Sequence, residues 1–286
     1  MNWENYKKFL FYDADTGLAL DPSWARWPEE LLDANRAETR RVWAEMRDLE
    51  RGAIANPSEG RMVGHYWLRT PELAPDAEIA AEIRSTVSRI RSFAAGVHAG
   101  ELRGERGGAF RQAVVVGVGG SSLGPCFVSH ALGAETDKMR LYFIDNTDPD
   151  GMDRVFAAVG PALDETLTIV ISKSGGTIET RNGMEEARAR YQAAGLSFAR
   201  HAVRVTQRGS KLDEAAKEEG WLDFFPMWDW VGGRTSVLSA VGLLPLALQG
   251  LDIEGLLRGA AAVDELTRRP APGENPALLL ALVWQA

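Results

Sequence analysis

The sequence has a single cysteine, Cys126. No disulfide can close within the chain, and no thiolate cluster can hold a metal. That fits a reducing compartment, so a cytoplasmic protein is expected. Positive charge is also in short supply, with 32 Lys and Arg against 40 Asp and Glu for a net charge of -8. An acidic chain suits neither a nucleic-acid backbone nor an anionic membrane as a bulk partner. A local anion site remains open, because backbone N–H groups supply one without net positive charge. Long hydrophobic runs are missing too. The first 17 residues are amphipathic and carry no signal-peptide pattern, and the apolar stretch at 237–251 is short and interrupted by Pro245 and Gln249. Only four histidines occur. His98, His130 and His201 have no partner at metal-ligand spacing, no HExxH or Ser/His/Asp order is visible, and all three, with His65, are read as structural. No metal is expected.

What is present is a globular composition. The 286 residues are 45% hydrophobic, enough for one large domain or two ordinary ones. Nine tryptophans are many for this length and are read as anchors of helices on a core. No internal repeat or low-complexity tract interrupts the chain. Residues 1–100 read mostly as helices and turns, with helical spacing clear over 85–97. From residue 111 the pattern changes. Short apolar runs rich in β-branched residues lie at 113–118 (AVVVGV), 141–144 (LYFI), 167–171 (LTIVI) and 202–205 (AVRV). Segments that can be helical follow, such as 181–194 and 211–219. Strands alternating with helices predict a parallel sheet, and near-continuous apolar strands predict that both its faces are covered. Ligands of such sheets bind beyond the carboxyl ends of the strands.

Three polar, glycine-rich segments fall there. The strongest is SKSGGTIET at 172–180. It sets hydroxyls, a lysine and two glycines between a buried strand and a helix N-terminus, which is the equipment for a phosphate monoester. The Walker order is absent. The bland alternative is a Ser/Gly-rich turn with Thr177 as a simple N-cap, and Glu179 reads as a dipole partner rather than a base. The second is GVGGSSLGP at 117–125. It is close to a dinucleotide fingerprint, but Ser122 occupies the third glycine position, while Asp145 ends the next strand where a ribose-binding acid would sit. The third is VGGRTS at 231–236, where two glycines present Arg234, placed to stabilise an oxyanion or to stand as an ordinary surface arginine.

Taken in this order, the three motifs resemble the phosphoglucose isomerase family. The segments ANPSEGRMVGHYWLR at 55–69 and FIDNTDPDG at 143–151 look like its bacterial, cyanobacterial-type branch. The resemblance implies an α/β, three-layer sugar-isomerase (SIS-type) fold with a parallel sheet flanked by helices. It implies three parts: an N-terminal helical segment at 1–100, a sugar-phosphate-binding domain at 101–240 and the start of a second such domain at 241–286. It also implies reversible conversion of glucose 6-phosphate to fructose 6-phosphate, with no cofactor, and a homodimer at full length. By the same analogy Ser172, Lys173, Ser174 and Thr177 surround the phosphate of a hexose 6-phosphate. Gly120, Ser121 and Gly233 contact the substrate, and Arg234 steadies the cis-enediolate. The family's glutamate base, ring-opening histidine and C-terminal lysine lie in motifs that none of these residues match. The expectation is therefore that residues 1–286 are part of a longer chain, binding substrate without turning it over alone. Two other readings stay open, a non-catalytic sugar-phosphate-binding module of the same fold and a nucleotide-binding dehydrogenase.

Overall fold

The computed structural model describes residues 3–25 and 37–285. Contacts group the chain into two units, Met1–Ala53 with Glu254–Ala286, and Ile54–Ile253. This grouping differs from boundaries at 100 and 240. The long helix before residue 100 packs on a helix and an edge strand of the sheet, and so belongs with it. The first unit opens with α1 (Trp3–Phe9), an antiparallel hairpin of β1 (Phe11–Tyr12) and β2 (Ala19–Leu20), and α2 (Ala37–Glu50). The hairpin turn is closed by the Asp13 carboxylate, which accepts from the Thr16 N–H and hydroxyl at 2.9 and 2.7 Å.

The second unit begins with a hairpin of β3 (Ile54–Asn56) and β4 (Arg61–Met62), followed by α3 (Ala77–His98). The sheet and its helices then alternate. They are β5 (Gln112–Val116), α4 (Leu123–Leu132), β6 (Arg140–Ile144), α5 (Pro149–Val159), β7 (Thr166–Ser172), α6 (Ile178–Ala193), β8 (Ala202–Thr206), α7 (Lys211–Glu218) and β9 (Asp223–Pro226), with α8 (Ala240–Gln249) closing the unit. All five strands are parallel, in the order β6-β5-β7-β8-β9. Side chains alternate across the sheet. Val114, Val116, Ile144 and Val170 point into a core with Met152, Phe156, Tyr191, Leu212 and Trp221 from or beside α5, α6 and α7. The opposite face meets α3 and α8, with Phe93 edge-on to Phe225 at 5.6 Å. Helices thus cover both faces, which is why β7, at the centre, is buried at every position. The α/β parallel architecture is the one the sequence predicts.

Two details differ from the sequence reading. β9 was not anticipated, because DFFP is short and ends in proline. It lies at the edge, paired among the described residues with β8 alone, where a strand tolerates a residue with no N–H. The tryptophans also divide. Trp67, Trp221, Trp228 and Trp230 are core residues, whereas Trp3, Trp24 and Trp284 are 57%, 73% and 81% exposed.

The first unit is completed by α9 (Ile253–Thr267) and α10 (Pro276–Gln285). Phe11, Leu266 and Leu279 form its small core. Arg268 pairs with both Glu50 and Asp264. α10 starts as its sequence indicates, with Pro276 at the first position and the Asn275 carboxamide accepting from the Leu278 N–H at 2.9 Å.

Candidate functional site

The chain enters the sheet at β5, steps to β6 on one side, then crosses to β7 on the other. The strand order therefore reverses between β5 and β7. The loops after these two strands lead to helices on opposite faces, and a crevice opens between them. A cavity of about 380 Å³ occupies that place. Gly120, Ser121, Ser172, Lys173, Ser174, Thr177 and Gly233, all singled out from sequence, lie on its wall.

Each wall has a local cause. Gly117 continues from β5, its N–H donating to the Ile144 carbonyl at 3.1 Å. Gly119 has φ +56°, a conformation that favours glycine. Ser122 turns inward and donates from Oγ to the Gly119 carbonyl at 3.2 Å, so the turn is closed by a side chain where a dinucleotide fingerprint has a glycine. The loop at 232–236 packs backbone to backbone on this turn. The Ser236 hydroxyl reaches both the Gly233 carbonyl, at 2.7 Å, and the Gly120 carbonyl, at 3.3 Å.

Across the crevice, Gly175 has φ +67° and abuts the start of α7, so the β7 loop doubles back before α6. The Thr206 hydroxyl donates to the Ser172 carbonyl at 2.6 Å and fixes the strand end. Ser174 Oγ accepts from the Gly176 N–H at 3.2 Å. Thr177 is the N-cap of α6, yet its side chain makes no capping hydrogen bond. The Ser172 hydroxyl lies 3.5 Å from that of Thr177. The capping alternative is thus not what this threonine does. Thr177 and Thr180 border the cavity at the start of this 16-residue helix, whose first N–H groups receive no hydrogen bond from the N-cap side chain.

Lys173 turns elsewhere. Its Nζ donates to the carbonyls of Asp229 and Val231 at 2.7 and 3.0 Å. Burial pushes the ammonium below the ordinary lysine range, and the carboxylate of Asp229 at 3.8 Å opposes that. Arg234 is next in the chain to Gly233 but is not itself among the residues that line the cavity. It is exposed and makes no hydrogen bond or ion pair among the described residues.

Sequence reasoning on the three motifs missed Glu59, Arg61 and Gln207, which also line the cavity, and Asp229 behind it. Arg61 Nε lies 2.9 Å from the Asp229 carboxylate and its NH1 3.1 Å from Glu59. The first two were within reach, since they sit in the 55–69 segment that carries the family resemblance. Gln207 and Asp229 had no local signal, because only the parallel register brings the β8 and β9 loops beside β7. The histidines stay out of the crevice. His98 Nε2 lies 2.7 Å from the Leu248 carbonyl, and His201 is enclosed between the Thr166 carbonyl and the Glu105 N–H. Burial holds His201 below the ordinary imidazole range.

Residues 29–286 match the family described as phosphoglucose isomerase. The chain is 56% identical over 283 residues to the glucose-6-phosphate isomerase of Desulfitobacterium hafniense strain Y51, covering 99% of this chain and 53% of that protein. To the enzyme of the same name from Geobacter sulfurreducens it is 58% identical, covering 99% and 54%. The crystal structure of a glucose-6-phosphate isomerase from Chlamydia trachomatis superposes with a TM-score of 0.84 at 31% identity, over 98% of this chain and 54% of the other. The fold is thus of the sugar-isomerase type. The chain spans about half the length of the curated relatives it matches.

Proposed function

The chain belongs to the phosphoglucose isomerase family, and from that premise we propose that its crevice binds a hexose 6-phosphate, the whole protein interconverting glucose 6-phosphate and fructose 6-phosphate. The observation that carries the reading is the α6 N-terminus. Three hydroxyls, from Ser172, Ser174 and Thr177, line the cavity at a helix start whose N-cap side chain makes no capping bond. Backbone N–H groups and neutral hydroxyls are suited to a phosphate monoester, and the dipole of α6 favours its charge. Gly120, Ser121 and Gly233, on the facing wall, then meet the sugar. That orientation sets C1 and C2 near Arg234, whose free guanidinium stabilises the negative charge of a cis-enediolate as it develops. A glucose phosphate is a cytoplasmic metabolite, and the reaction needs no partner beyond the substrate and a second copy in a homodimer.

Calorimetric titration of the chain tests the reading. Fructose 6-phosphate binds and NAD does not. NAD binding in preference to the sugar phosphate would move the chain to the dehydrogenase class. The hydroxyl roles are tested by Thr177→Val. A hydrogen bond to a charged phosphate contributes about 1.5–3 kcal/mol, so fructose 6-phosphate affinity falls by about tenfold or more. The melting temperature stays put, because the hydroxyl caps nothing. Loss of stability without loss of affinity would return Thr177 to the ordinary capping role.

A further inference from the structure

A second cavity, of about 290 Å³, opens between α6 and α7. Ser172, Thr177 and Thr180 line both it and the crevice, and among the described residues the two share no others. None of the second cavity's wall comes from the 117–125 or 231–236 segments. Its floor is apolar, built from Val170 of β7, Met184 of α6, Leu212 of α7 and Trp221. Its charged side chains fall into two groups. Arg188 is already engaged: it holds both Glu219 oxygens at 2.9 and 3.1 Å, faces Glu185 at 3.4 Å and lies over the Phe198 ring. Arg181 and Lys211 are exposed, and their side chains make no hydrogen bond or ion pair among the described residues. They stand on different helices and border the same opening. In a chain with 40 carboxylates against 32 Lys and Arg, two cations left without a counter-ion over one apolar floor are unusual.

A concave apolar surface with a few polar groups at its mouth is the usual make-up of a small-molecule site. Each class of ligand satisfies these walls differently. An inorganic anion would meet the cations and leave the floor unfilled. A neutral apolar molecule would fill the floor and leave the cations unpaired. A molecule with a compact apolar body and one carboxylate does both, because burial of the body contributes by area and a guanidinium meets a carboxylate through parallel N–H groups. We infer that this cavity is a second ligand site, separate from the crevice, for a small carboxylate of about the size of an arylacetate. Its body rests on Met184, Leu212 and Trp221, and its carboxylate lies between Arg181 and Lys211. The inference does not depend on what the crevice binds.

Each cavity has a methionine in its wall, Met184 in the second and Met227 in the crevice, so NMR of the protein labelled with ¹³C in its methionine methyl groups follows both. Phenylacetate is expected to move the Met184 signal and to leave Met227 in place. Phenylacetamide, with the same shape and no charge, binds about tenfold more weakly, and so does phenylacetate to the Arg181→Gln/Lys211→Gln variant. Acetate, which cannot cover the floor, also loses about tenfold or more. Ala215→Trp, at an exposed position of the wall, fills the cavity and abolishes the Met184 shift. Fructose 6-phosphate added to the phenylacetate-saturated protein moves Met227 while Met184 keeps its bound position. The proposal is overturned if phenylacetate leaves Met184 unmoved, if the amide binds as well as the acid, or if fructose 6-phosphate drives phenylacetate out. All three of these outcomes are read on the wild type, so the test stands even where a variant fails to fold. A Met227 signal that ignores fructose 6-phosphate, beside a Met184 signal that answers phenylacetate, would remove the hexose-phosphate reading and support the second site.

Discussion

Gly120→Ala is expected to reduce fructose 6-phosphate affinity by about a hundredfold or more, although the residue added is a single methyl group. A Cβ at Gly120 would overlap the carbonyl group of Gly233 and approach the Arg234 amide nitrogen to 3.0 Å. Both are backbone atoms, so no side-chain rotation relieves the clash, and one loop must move. The Ser236 hydroxyl bridges the Gly120 and Gly233 carbonyls, so the strain passes directly into the 232–236 loop. The loop also carries Arg234. Overpacking of this kind costs about 1–3 kcal/mol of stability, and a misplacement near 1 Å of binding groups costs about a hundredfold in function. The measurement is titration of Gly120→Ala beside Gly233→Ala, whose own Cβ would meet nothing within 4 Å. The two glycines flank the same contact, and only the first is sterically required. Equal losses in both variants would show that flexibility of the loops, rather than their close approach, matters for binding.

That contrast also shows what the sequence carries and what it withholds. The runs at 113–118, 141–144, 167–171 and 202–205 are legible as strands because a sheet covered on both faces needs apolar side chains at nearly every position. Polar loops after such strands are legible as a ligand site because parallel strands bring all their carboxyl ends to one edge. Gly120 and Gly233 are visible as glycines, but their mutual contact joins residues more than a hundred positions apart and has no local signature. Lys173 illustrates the same limit. Its place in the motif sets it among phosphate ligands, while its direction depends on carbonyls at Asp229 and Val231 that only the fold brings close. Thr177 is the converse case. Its N-cap position is readable, whereas the absence of a capping bond is a matter of a side-chain rotation.

The largest stability effect is expected at Asp213, in the first turn of α7. Its side chain is fully buried and its two oxygens accept from three donors. Oδ1 accepts from Arg204 Nε at 3.0 Å, and Oδ2 accepts from the Gly209 N–H at 2.9 Å and from Lys217 Nζ at 2.6 Å. Arg204 is itself buried, on β8, where it also donates to the Asp223 carbonyl at 3.3 Å. Asp213→Asn removes the charge while nearly keeping the shape, leaving the Arg204 guanidinium buried without its counter-ion. Breaking such a pair costs about 3–5 kcal/mol, which for a unit of this size lowers the melting temperature by about 10 °C. Acidity provides an independent check. Burial alone would raise the Asp213 carboxyl, but the donors from Lys217, Gly209 and Arg204 outweigh it and hold the group at about 2, below the usual 3.8. A depressed carboxyl stabilises the fold above its unfolded value, and that contribution disappears as the pH falls from about 4 through 2. At 1.36 kcal/mol for each unit, about 2 kcal/mol is at stake. The gap in stability between wild type and Asp213→Asn therefore narrows across that range, and denaturation series at pH 6, 4 and 2.5 would follow it. A gap that stays constant with pH would mean that the carboxylate charge is not what binds β8 to α7, and that the amide substitutes for it through geometry alone.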